Sequence, residues 1–187
     1  MNLPNRLTCY RIILTVFFMF LLFSKGPVLK ALALAAFLLA SATDYWDGRI
    51  ARQTGQITRL GQLMDPIADK LLTLSAFLAF VQMHIIPAWM VVVIITRDLL
   101  ITGLRFLMPS GGARQSAGES GKHKTALQFA SIVGVLVFLA ARETSVWNPE
   151  WTPEALRFIY CSMFLIVAVT LWSGIWYAYK NREVFNA

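Results

Sequence analysis

Four aspartates, Asp44, Asp47, Asp65 and Asp69, stand at the mouths of two apolar stretches. A carboxylate beside hydrocarbon is costly unless it holds a partner, which makes these four the first candidates for function. They lie in the pattern Asp44-x-x-Asp47-Gly48-x-x-Ala51-Arg52, then eight residues, then Gly61-x-x-x-Asp65-x-x-x-Asp69. Spacings of three and four put each pair on one helical face. Magnesium and calcium prefer oxygen ligands, and magnesium is usually shared between a few carboxylates and substrate phosphates. Two such pairs on two helices could hold two ions about 3.5–4 Å apart, an arrangement suited to phosphoryl displacement. Helix capping and interfacial solvation would explain one aspartate better than four.

Gly48, Ala51 and Gly61 are small where two helices must approach, and they would also leave room for a flat nucleotide. Arg52, one turn beyond Gly48, can offer a planar, permanently charged fork to a diphosphate. Packing alone would account for the small residues, and anchoring at the inner membrane face would account for the arginine.

The elements that must position these residues are apolar. Of 187 residues, 57% are hydrophobic and 14% charged, outside the balance of a soluble domain. Helical crossings are expected at roughly 8–24, 28–46, 61–82, 85–105, 124–141 and 155–179, each near the roughly 20 residues a bilayer core requires. The expectation is one all-α integral membrane domain over 1–187. Net charge is +7, which in a soluble protein could suggest nucleic acid but here reports topology. Of 17 basic residues, only Lys25, Lys30, Arg142 and Arg157 fall on the expected outer side. Both termini and all four aspartates are then cytoplasmic, and no nucleic-acid partner is expected.

Residues 2–11 read either as a short amphipathic segment on the headgroups, framing a lateral opening for lipid, or as a plain helix start capped by Asn5 or Thr8. No signal-peptide cleavage site precedes Lys25-Gly26-Pro27, so the first helix is expected to be retained. Trp46 to Leu60 reads as a cytoplasmic turn, and Pro66 as a residue near a helix start or at a kink. Residues 107–121 read as a glycine-rich inner loop, and 142–155, with Trp147, Pro149, Trp151 and Pro153, as an outer loop with aromatic anchors. Cys9 and Cys161 have no companion at zinc or disulfide spacing and read as packing residues.

From Asp44 to Asp69 the segment resembles, position for position, the signature of the CDP-alcohol phosphatidyltransferase family. The resemblance implies that family's fold of six transmembrane helices, a homodimer, a divalent-metal pair, and transfer of a phosphatidyl group from a CDP-linked lipid to an alcohol. It implies that Asp44, Asp47, Asp65 and Asp69 are metal ligands, with two Mg2+ ions or Mn2+ in their place. Asp69 would also remove the acceptor proton. Gly48, Ala51, Arg52 and Gly61 would form the cytidine and diphosphate surface, with Asn5 and Thr8 as further candidates at the CDP-lipid.

The acceptor is argued from the basic residues. Arg97 and Arg105 are two turns apart on the fourth expected crossing, and Lys122 and Lys124 introduce the fifth. An arginine inside an apolar helix tends to face a cavity or a partner, though Asp98 could instead pair with a neighbouring cation. Several cations near a metal site suit a phosphorylated acceptor better than serine or choline. The strings Arg97-Asp98-x-x-Ile101-Thr102-x-Leu104-Arg105, Gly121-Lys122-His123-Lys124-Thr125-Ala126 and Asn2-Leu3-Pro4-Asn5-Arg6-Leu7-Thr8 resemble the bacterial branch of the family that makes phosphatidylglycerophosphate. Asp98 departs from it, since glutamate is more usual there. The expected reaction takes CDP-diacylglycerol and sn-glycerol 3-phosphate, and releases CMP at the cytoplasmic face of the cell membrane. Inositol phosphate as acceptor is the alternative within the family. A divalent-cation transporter is the alternative outside it, disfavoured by clustering of the carboxylates near one face and by the lack of a repeat. His84 reads as an outer interfacial residue and His123 as a neighbour of the basic loop.

Overall fold

The computed structural model describes residues 3–54, 59–107 and 120–180, with the backbone path alone for 3–9, 44–54, 59–69, 104–107, 120–124, 178 and 180. Among these residues the chain is helical and contains no strand. Six α-helices follow in order: α1 (Leu3–Phe23), α2 (Pro27–Thr54), α3 (Arg59–Gln82), α4 (Ala88–Leu107), α5 (Ser120–Arg142) and α6 (Thr152–Lys180). A single 3-10 turn, Pro149–Trp151, precedes α6. The chain divides into two compact units: Met1–Phe80 with Ile132–Thr152, and Val81–Ser131 with Pro153–Ala187.

In the first unit, α1 ends where Gly26 takes a φ of 116°, a left-handed conformation that a side chain would strain. Pro27 then opens α2, where its missing N–H is not needed. Fully buried Phe18 and Phe37 hold α1 against α2, with ring centroids 5.6 Å apart. The buried Lys30 ammonium donates to the Leu22 carbonyl and lies 3.6 Å from the Glu143 carboxylate, which also accepts the Gly26 N–H. Glu143 thereby ties the α1–α2 turn to the end of α5, two segments expected on the same outer side. Glu143→Ala leaves a buried ammonium without its counter-charge and is expected to cost about 2 kcal/mol, read as a lower Tm in detergent. Adding Lys30→Met is expected to restore much of that loss, and an unchanged Tm for the single variant would mean that Lys30 is hydrated.

The connection from α5 to α6 in the same unit, expected on the outer side, is well built. Trp147 packs between Phe138 and Trp151, at 5.6 and 5.8 Å, and its indole N–H donates to Thr152 Oγ1 at 3.1 Å. Asn148 caps the 3-10 turn by accepting from the Glu150 N–H at 3.0 Å. The sixth helix therefore starts at Thr152, slightly before the expected 155.

In the second unit, Ile159, Met163, Ile166, Val167 and Thr170 of α6 are buried at helical spacing. Yet the opposite side of α6 is just as apolar, with Phe158 and Trp172 each 75% exposed beside Phe164, Leu165, Leu171 and Ile175. A helix apolar all round with its outer side uncovered is suited to lipid. Two helical stretches, Thr125–Arg142 and Pro149–Tyr177, are long and apolar enough to cross a membrane. Tyr10–Phe23, Pro27–Thr43 and Lys70–Gln82 are shorter apolar stretches among the described residues. His84, exposed in the turn after α3, has a φ of 55°, and its N–H bonds the Val81 carbonyl at 3.0 Å. Its place is a tight turn, in a conformation histidine tolerates better than most residues.

Two local expectations change, and one open alternative is decided. The helix begins at Leu3 and runs unbroken to Phe23, so residues 3–11 are continuous with the first apolar helix, and Asn5 and Thr8 lie inside it rather than capping it. The segment from Trp46 to Thr54, expected as a turn, is the last part of α2. Its polarity does not stop the helix, because no proline interrupts the hydrogen-bond ladder and Ala51 and Arg52 are strong helix formers. Pro66 stands seven residues beyond Arg59, in the interior of α3, where it cannot donate to the Gln62 carbonyl.

Candidate active site

The backbone of α2 is helical through Asp44, Asp47, Gly48, Ala51 and Arg52, which occupy positions i, i+3, i+4, i+7 and i+8. On a 3.6-residue helix these share one face. In α3, Gly61, Asp65 and Asp69 stand at i, i+4 and i+8, again one face. α2 (Pro27–Thr54) and α3 (Arg59–Gln82) as far as Phe80 belong to the first unit. The donor set is all oxygen, from four carboxylates, which suits hard divalent ions. The side chains of these eight residues lie outside the described residues, as do those of Asn5 and Thr8 in α1.

The basic positions belong to the second unit. Arg97 lies midway along α4, and Arg105 is eight residues further on in the same helix. Lys122, His123 and Lys124 fall within the first five residues of α5. The side chains of Arg105, Lys122, His123 and Lys124 lie outside the described residues.

The Arg97 side chain is among the described residues. Its Nη1 lies 3.3 Å from Asp98 Oδ1, and its Nη2 donates to Ser173 Oγ of α6 at 3.0 Å. Asp98 thus pairs with the cation beside it. Its backbone carbonyl accepts from Thr102 Oγ1 at 2.7 Å, a bond back along α4. The Arg97 stem runs past Gly174, where an added Cβ would come within 3.0 Å of Arg97 Cγ. Ser173 and Gly174 were not among the candidates drawn from the sequence, where a Ser-Gly pair inside an apolar helix was the only available sign.

Two helices long and apolar enough to cross a membrane, and two more that carry carboxylate pairs at one-face spacing, define an all-α protein of membrane-enzyme type. The chain belongs to the CDP-alcohol phosphatidyltransferase family, whose model matches residues 1–176. It is similar to proteins named CDP-diacylglycerol–glycerol-3-phosphate 3-phosphatidyltransferase from several bacteria. One, from Bacillus subtilis (strain 168), is 34% identical over 99% of this chain and 97% of its own length. Another, from Yersinia pestis (strain Pestoides F), is 34% identical over 95% and 93%. A third, from Sodalis glossinidius (strain morsitans), is 32% identical over 98% and 96%.

Proposed function

We propose that this chain transfers the phosphatidyl group of CDP-diacylglycerol to sn-glycerol 3-phosphate, giving phosphatidylglycerophosphate and CMP in phospholipid biosynthesis. The observation that carries the reading is near full-length similarity to proteins named for this reaction. An intact carboxylate motif in unbroken helical register supports it. The acceptor hydroxyl oxygen forms a bond to the lipid-linked phosphorus. The bond from that phosphorus to the oxygen bridging to CMP breaks, and CMP leaves with the electron pair. Asp69 accepts the hydroxyl proton. Asp44, Asp47, Asp65 and Asp69 would hold two magnesium ions, or manganese in their place, which when bound supply charge neutralisation for the diphosphate and the leaving CMP. Gly48, Ala51 and Gly61 leave room for the cytidine, Arg52 takes the diphosphate, and Asn5 and Thr8 lie toward the CDP-lipid. Arg97, Arg105, Lys122 and Lys124 hold the acceptor phosphate and so orient its free hydroxyl.

In this reading the protein is one membrane domain over 1–187 with six crossings, its carboxylates on the cytoplasmic side of the cell membrane, and it works as a homodimer. The positive-inside distribution of basic residues supports that orientation. The lipid-suited outer side of α6 supports the membrane setting.

A panel of acceptors offered with CDP-diacylglycerol to the purified protein tests the proposal. Radiolabelled glycerol 3-phosphate is expected to enter lipid with one CMP released per transfer, while serine, inositol and inositol phosphate stay in the aqueous phase. Preferential incorporation of inositol phosphate would replace the acceptor. Divalent-cation flux into vesicles without CMP release would replace the enzyme by a transporter.

A further inference from the structure

We infer that Ser173 and Gly174 of α6 are positioning residues that set the Arg97 guanidinium for the acceptor phosphate, and so help to determine acceptor affinity. The inference rests on the proposed acceptor role of Arg97. Arg97 and the Ser173–Gly174 pair belong to the same unit, and their contact joins residues 76 apart in sequence.

Three observations carry it. The Ser173 hydroxyl has one proton, and that proton goes to the Thr170 carbonyl, 3.0 Å away and one turn back. Its lone pairs are thereby left to accept, and Arg97 Nη2 donates to the same oxygen at 3.0 Å. The hydroxyl is therefore locked as an acceptor by its own helix before the arginine arrives. Asp98 Oδ1, 3.3 Å from Nη1, holds the other terminal nitrogen, so the plane of the guanidinium is fixed at two corners by two different helices. Gly174 decides how close the stem can come. A Cβ at that position would lie 3.0 Å from Arg97 Cγ and 3.7 Å from Nε, so any side chain there pushes on the stem at its root. A displacement at Cγ is carried outward to the guanidinium, where a planar fork loses its match to a phosphate.

A structural role alone would predict something different. Glycine is a poor helix former, so Gly174→Ala favours the helical state of α6 itself. The expected result is a Tm unchanged or raised, a KM for glycerol 3-phosphate raised about five- to tenfold, and a kcat within about twofold of the parent. The KM for CDP-diacylglycerol is expected to stay put. Ser173→Ala is expected to raise the same KM, and Ser173→Thr, which keeps the hydroxyl, to restore it. The deciding measurement is a double-variant cycle with Arg97→Ala. If Ser173 and Gly174 act through the arginine, both substitutions become silent in the Arg97→Ala background. Should Arg97→Ala raise the acceptor KM while Gly174→Ala and Ser173→Ala leave it alone, the seat is wrong and the acceptor reading stands. An Arg97→Ala enzyme with an unchanged acceptor KM would remove both. If Gly174→Ala does not fold, the Ser173→Ala and Ser173→Thr pair decides by the same criteria.

Discussion

Asp69→Asn is expected to lower turnover by about 10³-fold or more, with membrane insertion and helix content unchanged. Asparagine has nearly the same shape as aspartate, so the α3 helix through Gly61, Asp65 and Asp69 has no reason to change. What is lost is the negative charge and the site that takes the proton from the acceptor hydroxyl. Measuring CMP release from the purified variant checks this, and near-normal turnover would remove the base assignment. Because Asp69 is also placed among the metal ligands, the two roles need separating. A weakened metal site recovers as magnesium is raised, whereas a missing base does not. Recovery of the variant at high magnesium would therefore leave Asp69 as a ligand only. The helical register makes the comparison with Asp65→Asn informative, since Asp65 is one turn back on the same face but carries no proposed proton role.

Removal of divalent ions is the second large effect. Treating the purified protein with a chelator is expected to reduce CMP release to below about one part in 10³, since a metal pair at a phosphoryl centre contributes several kcal/mol and each 1.4 kcal/mol is tenfold in rate. Magnesium, and manganese in its place, is expected to restore it. The same ions are expected to raise Tm in the absence of any substrate, because a ligand that binds only the folded state stabilises it. That shift is expected to vanish in Asp44→Ala and in Asp65→Ala, one variant from each helix. Full activity in chelator would end the two-ion reading. A magnesium-induced Tm shift that survives both substitutions would place the ions elsewhere. The carboxylates were chosen for their spacing, and the fold adds that each pair lies on an unbroken stretch of helix in one unit.

The helices and the motif were readable because their signals are local. Long apolar runs announce α1 to α6, and the Asp44–Arg52 and Gly61–Asp69 spacings are those of one helical face. Polarity misled where it was taken as a break. Trp46 to Thr54 is charged and contains Gly48, but helix formation depends on backbone bonds and not on apolarity, so α2 continues to Thr54. Of the two places open to Pro66, near a helix start or within an established helix, α3 gives the second. The Asn5 and Thr8 caps failed because Leu3 is already helical.

Sequence alone determined the membrane character, the helical class and the identity of the chemical groups, all of which follow from composition and from periodicities of a few residues. Tertiary structure alone decided which distant groups meet: Glu143 on the Gly26 N–H, 117 residues away, and Arg97 between Asp98 on its own helix and Ser173 on α6. Such contacts depend on how helices are rotated and seated against one another, and one chain's residue order has no period that encodes that rotation. An arginine in an apolar helix could be recognised as needing a partner. That the partner is a hydroxyl held in place by its own helix, with a glycine beside it to admit the stem, is a property of the packing.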